Sequence, residues 1–155
     1  PQVTGPTELE NDLKVYKLLA RVRGLRGRGV IPLLRELQVE ELMGFYSRVD
    51  ILVATRTHSA ILALLNHKPV VAISYHGFKA PGLMSMLGLS RYCLDVKDLS
   101  FEKLAGVFDR LWSERFAVRK ALRAKLGVVK RLTLGHGELL RRHLQPYLKR
   151  GKKAC

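Results

Sequence analysis

A chain of 155 residues, 47% of them apolar, is long enough for one domain with a buried core and too short for two of ordinary size. No apolar run is long enough for a membrane-spanning helix, and with two cysteines, Cys93 and Cys155, no intrachain disulfide framework is expected and a reducing compartment is the default. The net charge of +15 is unevenly placed: from Arg110 onward there are 14 Lys+Arg against Glu114 and Glu138, while residues 1 to 109 carry the other 14 against 11 acids.

The chain begins at Pro1, without a methionine, in what reads as the end of a strand, so a fragment or one domain of a larger protein is expected. For the same reason, the lack of a signal-peptide pattern is uninformative. Thr4-Gly5-Pro6-Thr7 is a turn, and Thr7 with Glu10 fits a capping box opening a helix through about Arg23. Its Leu9, Leu13, Tyr16, Leu19 and Ala20 recur at helical spacing, as packing on a sheet requires. Gly24 to Gly29 is a flexible loop: it does not follow a strand as a dinucleotide fingerprint would, and it lacks the Gly-Lys-Ser/Thr of a phosphate loop.

Val30 to Leu34 reads as a strand, and Val39 to Arg48 as a short helix with Leu42, Met43 and Tyr46 inward. Ile51 to Ala54 is a continuous apolar run of the kind covered on both faces in a parallel sheet, and Val70 to Ile73 repeats it. Between them His58, Ile61, Leu62 and Leu65 have the i, i+3, i+4, i+7 spacing of a helix face, and Asn66-His67-Lys68-Pro69 reads as its exit. Leu83 to Leu87 is expected to be a short helix and Arg91 to Val96 a last strand. This alternation predicts a parallel sheet with helices on both faces over residues 1–105.

Residues 106–155 read as a helical, basic extension. Phe101, Leu104, Val107, Phe108, Leu111 and Trp112 form an apolar stripe. A second helix is expected from about Arg115 to Leu132, with Val118, Leu122, Leu126 and Val129 on one side. Gly135-His136-Gly137 is expected to break it, before a last helix from Glu138 to about Leu148 and a basic end at Lys149 to Lys153.

Chemistry concentrates where the two central strands end. Arg56, Thr57, His58 and Ser59 occupy one strand-to-helix turn, and Tyr75 to Lys79 follow the next strand. Open α/β sheets bind ligands at the carboxyl ends of their strands, where helix N-termini present free amides. Arg56 and Lys79, an imidazole and such a terminus make an anion site; solvated or ion-paired loop residues are the alternative reading of the same pattern. The histidines are scattered without a carboxylate cluster, and no bound metal is expected.

Arg56-Thr57-His58-Ser59-Ala60-Ile61-Leu62-Ala63-Leu64, then Pro69-Val70-Val71-Ala72-Ile73-Ser74-Tyr75, then Lys79, Gly82 and Leu87-Gly88-Leu89, together resemble the C-terminal half of the polysaccharide pyruvyltransferase family. The opening Gln2-Val3-Thr4-Gly5-Pro6 with Asn11-Asp12 looks like the start of the same half, so the resemblance covers roughly residues 1 to 105. Here the lysine stands four residues after the tyrosine, one more than the family pattern has.

The resemblance implies a Rossmann-like C-terminal half of a GT-B-like enzyme, inactive without its N-terminal half. The implied reaction moves pyruvate from phosphoenolpyruvate, the donor substrate, to two hydroxyls of a sugar or polysaccharide acceptor as a ketal, with no cofactor. His58 and Lys79 would contact the donor, Arg56 would support the loop or add a donor, and the amides of Thr57 to Ser59 would face the anion beside Tyr75. His58 is also the expected general acid. Thr4, Gly5 and Pro6 would line the cleft. The expected location is cytoplasmic.

Two other readings fit parts of the pattern. A nucleotide-sugar glycosyltransferase shares the architecture but wants a carboxylate after a central strand for the ribose. A non-enzymatic module would use the basic tail on nucleic acid or an anionic membrane, although aromatics interleaved with the cations, as single-strand binders have, are missing. In an enzyme acting on envelope polymers, the tail would face the membrane or acidic glycans; a solvated helix face is the plain alternative.

Overall fold

The computed structural model describes residues 33, 37–75 and 77–151. The expected turn at residues 4–7, the helix at 7–23, the loop at 24–29 and, apart from Leu33, the strand at 30–34 lie outside them, as do residues 152–155. The elements are α1 (Val39–Arg48), β1 (Leu52–Ala54), α2 (Thr57–Leu65), β2 (Val70–Ser74), α3 (Lys79–Met86), β3 (Cys93–Asp95) and α4 (Phe101–Gly151), with single 3-10 turns at Ser90–Tyr92 and Val96–Asp98.

The described sheet has three parallel strands in the order β1-β2-β3, with Ala54 opposite Ala72 and Ser74 opposite Asp95. All five residues of β2 are buried, as a central strand with both faces covered requires. Right-handed crossovers put α2 and α3 on one face. The other face of β2 falls to α4, which packs on it. The cover expected on both faces of Ile51 to Ala54 is complete only at Ala54; Val53 is 41% exposed, because β1 is an edge strand of the described sheet.

The inward face of α2 is Ser59, Ala60, Ala63 and Leu64; of His58, Ile61, Leu62 and Leu65, whose spacing marked a helix face, Leu62 packs against the core while His58 and Leu65 are exposed. The helix is apolar nearly all round, so period alone leaves its rotation open. Alanines let it lie close to the sheet, and close packing selects their side. Helix α1 turns Tyr46 inward, with Leu42 packed against the same core, as expected.

Both crossover helices end in the same hydrogen-bonded cap. At α2 the His67 amide donates to Leu64 O (2.7 Å) and the Lys68 amide to Ala63 O (3.0 Å). At α3 the Gly88 amide donates to Ser85 O (2.8 Å) and the Leu89 amide to Met84 O (2.7 Å). This pairing needs a left-handed residue just past the helix, and His67 (φ 58°) and Gly88 (φ 69°) supply it. The Leu87-Gly88-Leu89 sequence is thus a helix stop. Helix α3 itself begins four residues before the expected Leu83, because Pro81 falls in its first turn, where no amide has an intrahelical acceptor.

A single helix, α4, replaces the expected series, running from Phe101 to Gly151 through Gly135-His136-Gly137 without a break. Leu104, Val107, Leu111, Val118, Leu122 and Leu126 pack it onto the core. Three polar anchors fix it near the amino edge of the sheet. Glu114 takes the Tyr92 hydroxyl (2.6 Å) and pairs with Arg91 (2.8 Å) just before β3. Arg119 pairs with Asp50 (3.0 Å) ahead of β1, and Lys125 donates to Leu87 O (2.6 Å) at the end of α3. The helix therefore starts at the carboxyl edge, descends the sheet and leaves at the amino edge. Arg91 to Val96, expected as a strand throughout, is strand only at Cys93–Asp95, with 3-10 turns on either side.

Three substitutions test this fold by denaturant unfolding. His67→Gly relieves a side chain from the left-handed region and raises stability by up to about 1 kcal/mol, whereas Gly88→Ala imposes that strain, meets Lys125 Nζ and lowers it by about 1–2 kcal/mol. Tyr92 is fully buried, and burial, with Glu114 accepting its hydroxyl, pushes its pKa above the usual phenol value. Tyr92→Phe removes that donor and costs about 1–2 kcal/mol.

Candidate functional site

Ala54, Ser74 and Asp95 end the three strands at one edge of the sheet. Because β1 and β2 are parallel neighbours, the turn after each opens beside the other, with strand axes about 4.8 Å apart. The first turn holds Arg56, half-buried and extended (φ −109°, ψ 130°) at the N-cap of α2, with the Ala60 amide on its carbonyl (3.2 Å). Thr57, His58 and Ser59 are the first three helical residues; their amides have no intrahelical acceptor, and no side chain caps the helix. His58 is exposed and Thr57 half-buried. Ser59 is only 8% exposed, so its contribution to an anion would come from its amide.

The second turn carries Tyr75, Gly77 (φ 63°) and Phe78, and Lys79 opens α3. Tyr75 and Lys79 are both exposed. The structure thus brings Arg56, Thr57, His58, Ser59, Tyr75 and Lys79 to one edge. Lys79, expected in the loop, stands in the first helical turn because α3 starts early. Thr4, Gly5, Pro6 and His76 lie outside the described residues.

Electrostatics single out these two turns. Helix N-termini favour negative charge, and α1 meets that preference with Glu40 and Glu41 and α4 with Glu102. The Glu102 carboxyl is held below the usual range by a backbone hydrogen bond, assisted by Ser100. By contrast α2 and α3 have no acid in their first turns and carry Arg56, His58 and Lys79 there. Cations on a positive helix end are locally unfavourable, and an anion seated between the two turns would offset the conflict.

Two residues at this edge had no role assigned from sequence. Phe78, 91% exposed, caps α3 beside Lys79; a large aromatic between a glycine and a lysine after a strand was its only signal. Asp95 closes β3 and accepts the Lys97 amide (2.9 Å). It ends a flanking strand, whereas the residue after the central strand is Tyr75. Among the described residues no group of three or more His, Cys, Asp or Glu could hold a metal, and no helix is long and apolar enough to cross a membrane.

A family model described as polysaccharide pyruvyl transferase matches residues 3–77. The match takes in Arg56 to Ser59 and Tyr75 and stops short of Lys79. No solved structure matches the chain.

Cys93, a free thiol at the start of β3, reports on this region. Burial first, then the Asp95 carboxylate, pushes its pKa up, so less of it is thiolate at neutral pH. Its alkylation by iodoacetamide near pH 7.5 is expected to be several-fold slower than that of a free-cysteine peptide, and Asp95→Asn to speed it.

Proposed function

We propose, on the premise that residues 3–77 place the chain in the polysaccharide pyruvyl transferase family, that the carboxyl edge of the sheet binds phosphoenolpyruvate for transfer of pyruvate to a sugar. The observation that carries the reading is the pair of neighbouring helix N-termini that hold Arg56, His58 and Lys79 where other helices of the fold hold acids. Phosphoenolpyruvate has a phosphate and a carboxylate close together, and converging cations and amides suit both.

In this reaction the methylene carbon of the donor takes a proton and becomes the methyl group. The central carbon forms bonds to two sugar oxygens, and its bond to the phosphate oxygen breaks with the electron pair leaving on phosphate. The two hydroxyl protons balance the methyl hydrogen and the proton on the released phosphate. Arg56, Lys79 and the amides of Thr57 to Ser59 hold the anionic groups, Tyr75 lies beside them, and His58 delivers the proton to carbon. The domain is the GT-B-like C-terminal half, and the acceptor enters from a cleft shared with the N-terminal half.

Calorimetric titration with phosphoenolpyruvate, beside inorganic phosphate, a nucleotide sugar and a short nucleic acid, tests the reading. Saturable binding of phosphoenolpyruvate is expected, tighter than phosphate, with Lys79→Ala and His58→Ala each weakening it about tenfold to a hundredfold. In the two-domain enzyme His58→Ala should lower kcat by about 10²–10⁴. Preference for the nucleotide sugar would replace this function with glycosyl transfer.

A further inference from the structure

The apolar stripe that opens α4 divides in the structure. Leu104, Val107 and Leu111 pack on the core, whereas Phe101 (79% exposed), Trp112 (44%) and Phe116 (64%) stand at the surface, with Phe108 half-buried among them. Phe101, Phe108, Trp112 and Phe116 follow one another at steps of seven, four and four residues, so they form a second row along the helix. That row is about 22 Å long and lies about 100° round from the line that meets the core. A helix packed through one stripe carries polar residues elsewhere as a rule, and contiguous exposed apolar surface marks an interaction site.

The row is held in shape before anything binds it. Trp112 stacks on Phe108, with ring centres 6.3 Å and planes 15° apart. The Arg115 guanidinium lies over both Trp112 (4.2 Å) and Phe116 (4.4 Å) and donates to the Trp112 carbonyl (2.6 Å). Side chains ordered in this way lose less freedom on association.

Chemistry selects the occupant. Bases and sugar rings stack on open ring faces, and Trp112 is already engaged by Phe108 and Arg115. An anionic polymer or lipid would meet Glu102 and Asp109 beside the row. These acids flank its first half, and Arg115, Lys120 and Arg123 its second, while Lys103 and Arg110 fall about 100° beyond the acids, away from the rings. An apolar strip with acids at one end and cations at the other is complementary to itself turned end for end. With Trp112 on the two-fold axis, Phe108 comes level with Phe116 of the second copy, and Glu102 within one turn of the second copy's Lys120 and Arg123. A parallel arrangement would set like charges together.

We infer that the aromatic row of α4 is the contact of an antiparallel homodimer, in which two copies of the helix pair about Trp112. This inference does not depend on the donor chemistry.

Sedimentation velocity of the full chain tests it, over about 1 to 100 µM and under reducing conditions so that Cys93 and Cys155 do not cross-link copies. A row of this length is at the small end of specific interfaces, so an equilibrium between monomer and dimer in the micromolar range is expected. Phe116→Ser should weaken the dimer about tenfold or more, with far-ultraviolet dichroism unchanged because the ring is mostly exposed. Lys120→Glu should weaken it about tenfold, and adding Glu102→Lys should restore it. The two side chains are about five turns apart on one helix, so they meet only between copies. A chain that stays monomeric throughout, a dimer indifferent to Phe116→Ser, or a loss with Lys120→Glu that Glu102→Lys does not recover would overturn the inference.

Discussion

The described fold depends on the complete burial of β2. Five consecutive residues, Val70 to Ser74, hide both faces of one strand, and only cover on both sides of the sheet can do that. Parallel pairing with β1 and β3 then dictates crossovers of the same hand, which place α2 and α3 together and leave the opposite face to α4. The alanines of α2, the Met84 side of α3 and the Leu111 to Leu122 side of α4 meet the sheet as one apolar cluster.

The same geometry divides the domain into two ends with different electrostatics. Parallel strands deliver every following helix N-terminus to one edge, and there α2 and α3 present cations in place of acids. At the other edge the polar groups are paired with one another: Glu114 with Tyr92 and Arg91, Arg119 with Asp50, Lys125 with the carbonyl of Leu87. Cations on positive helix ends mark the edge proposed to receive a ligand, and paired polar groups mark the end that holds α4.

Much of the carboxyl-edge site was legible because its signals are local. A strand-like run followed by Arg56-Thr57-His58-Ser59, and a second followed by Tyr75 and Lys79, fix those residues to strand-to-helix turns wherever the strands lie. The helix stop at Asn66-His67-Lys68-Pro69 was legible for the same reason. The rotation of α2 was not, because a helix apolar on most sides has no single stripe, and its alanine face was chosen by close contact with the sheet. The start of α3 was not legible either: the helix was expected from Leu83, but Pro81 and Gly82 sit in a first turn that tolerates them.

The sequence by itself determined the alternation of strands and helices around Val70 to Ser74, the cations at the strand ends and the surplus of charge after Arg110, since each follows from residue type and short-range spacing. Tertiary structure alone decided that the three strands lie in the order β1-β2-β3 and that their ends form one edge. It also decided that α4 is one helix that docks through Leu126. Those features depend on contacts between residues far apart in the chain, such as Arg119 with Asp50 and Lys125 with Leu87, which no local pattern specifies.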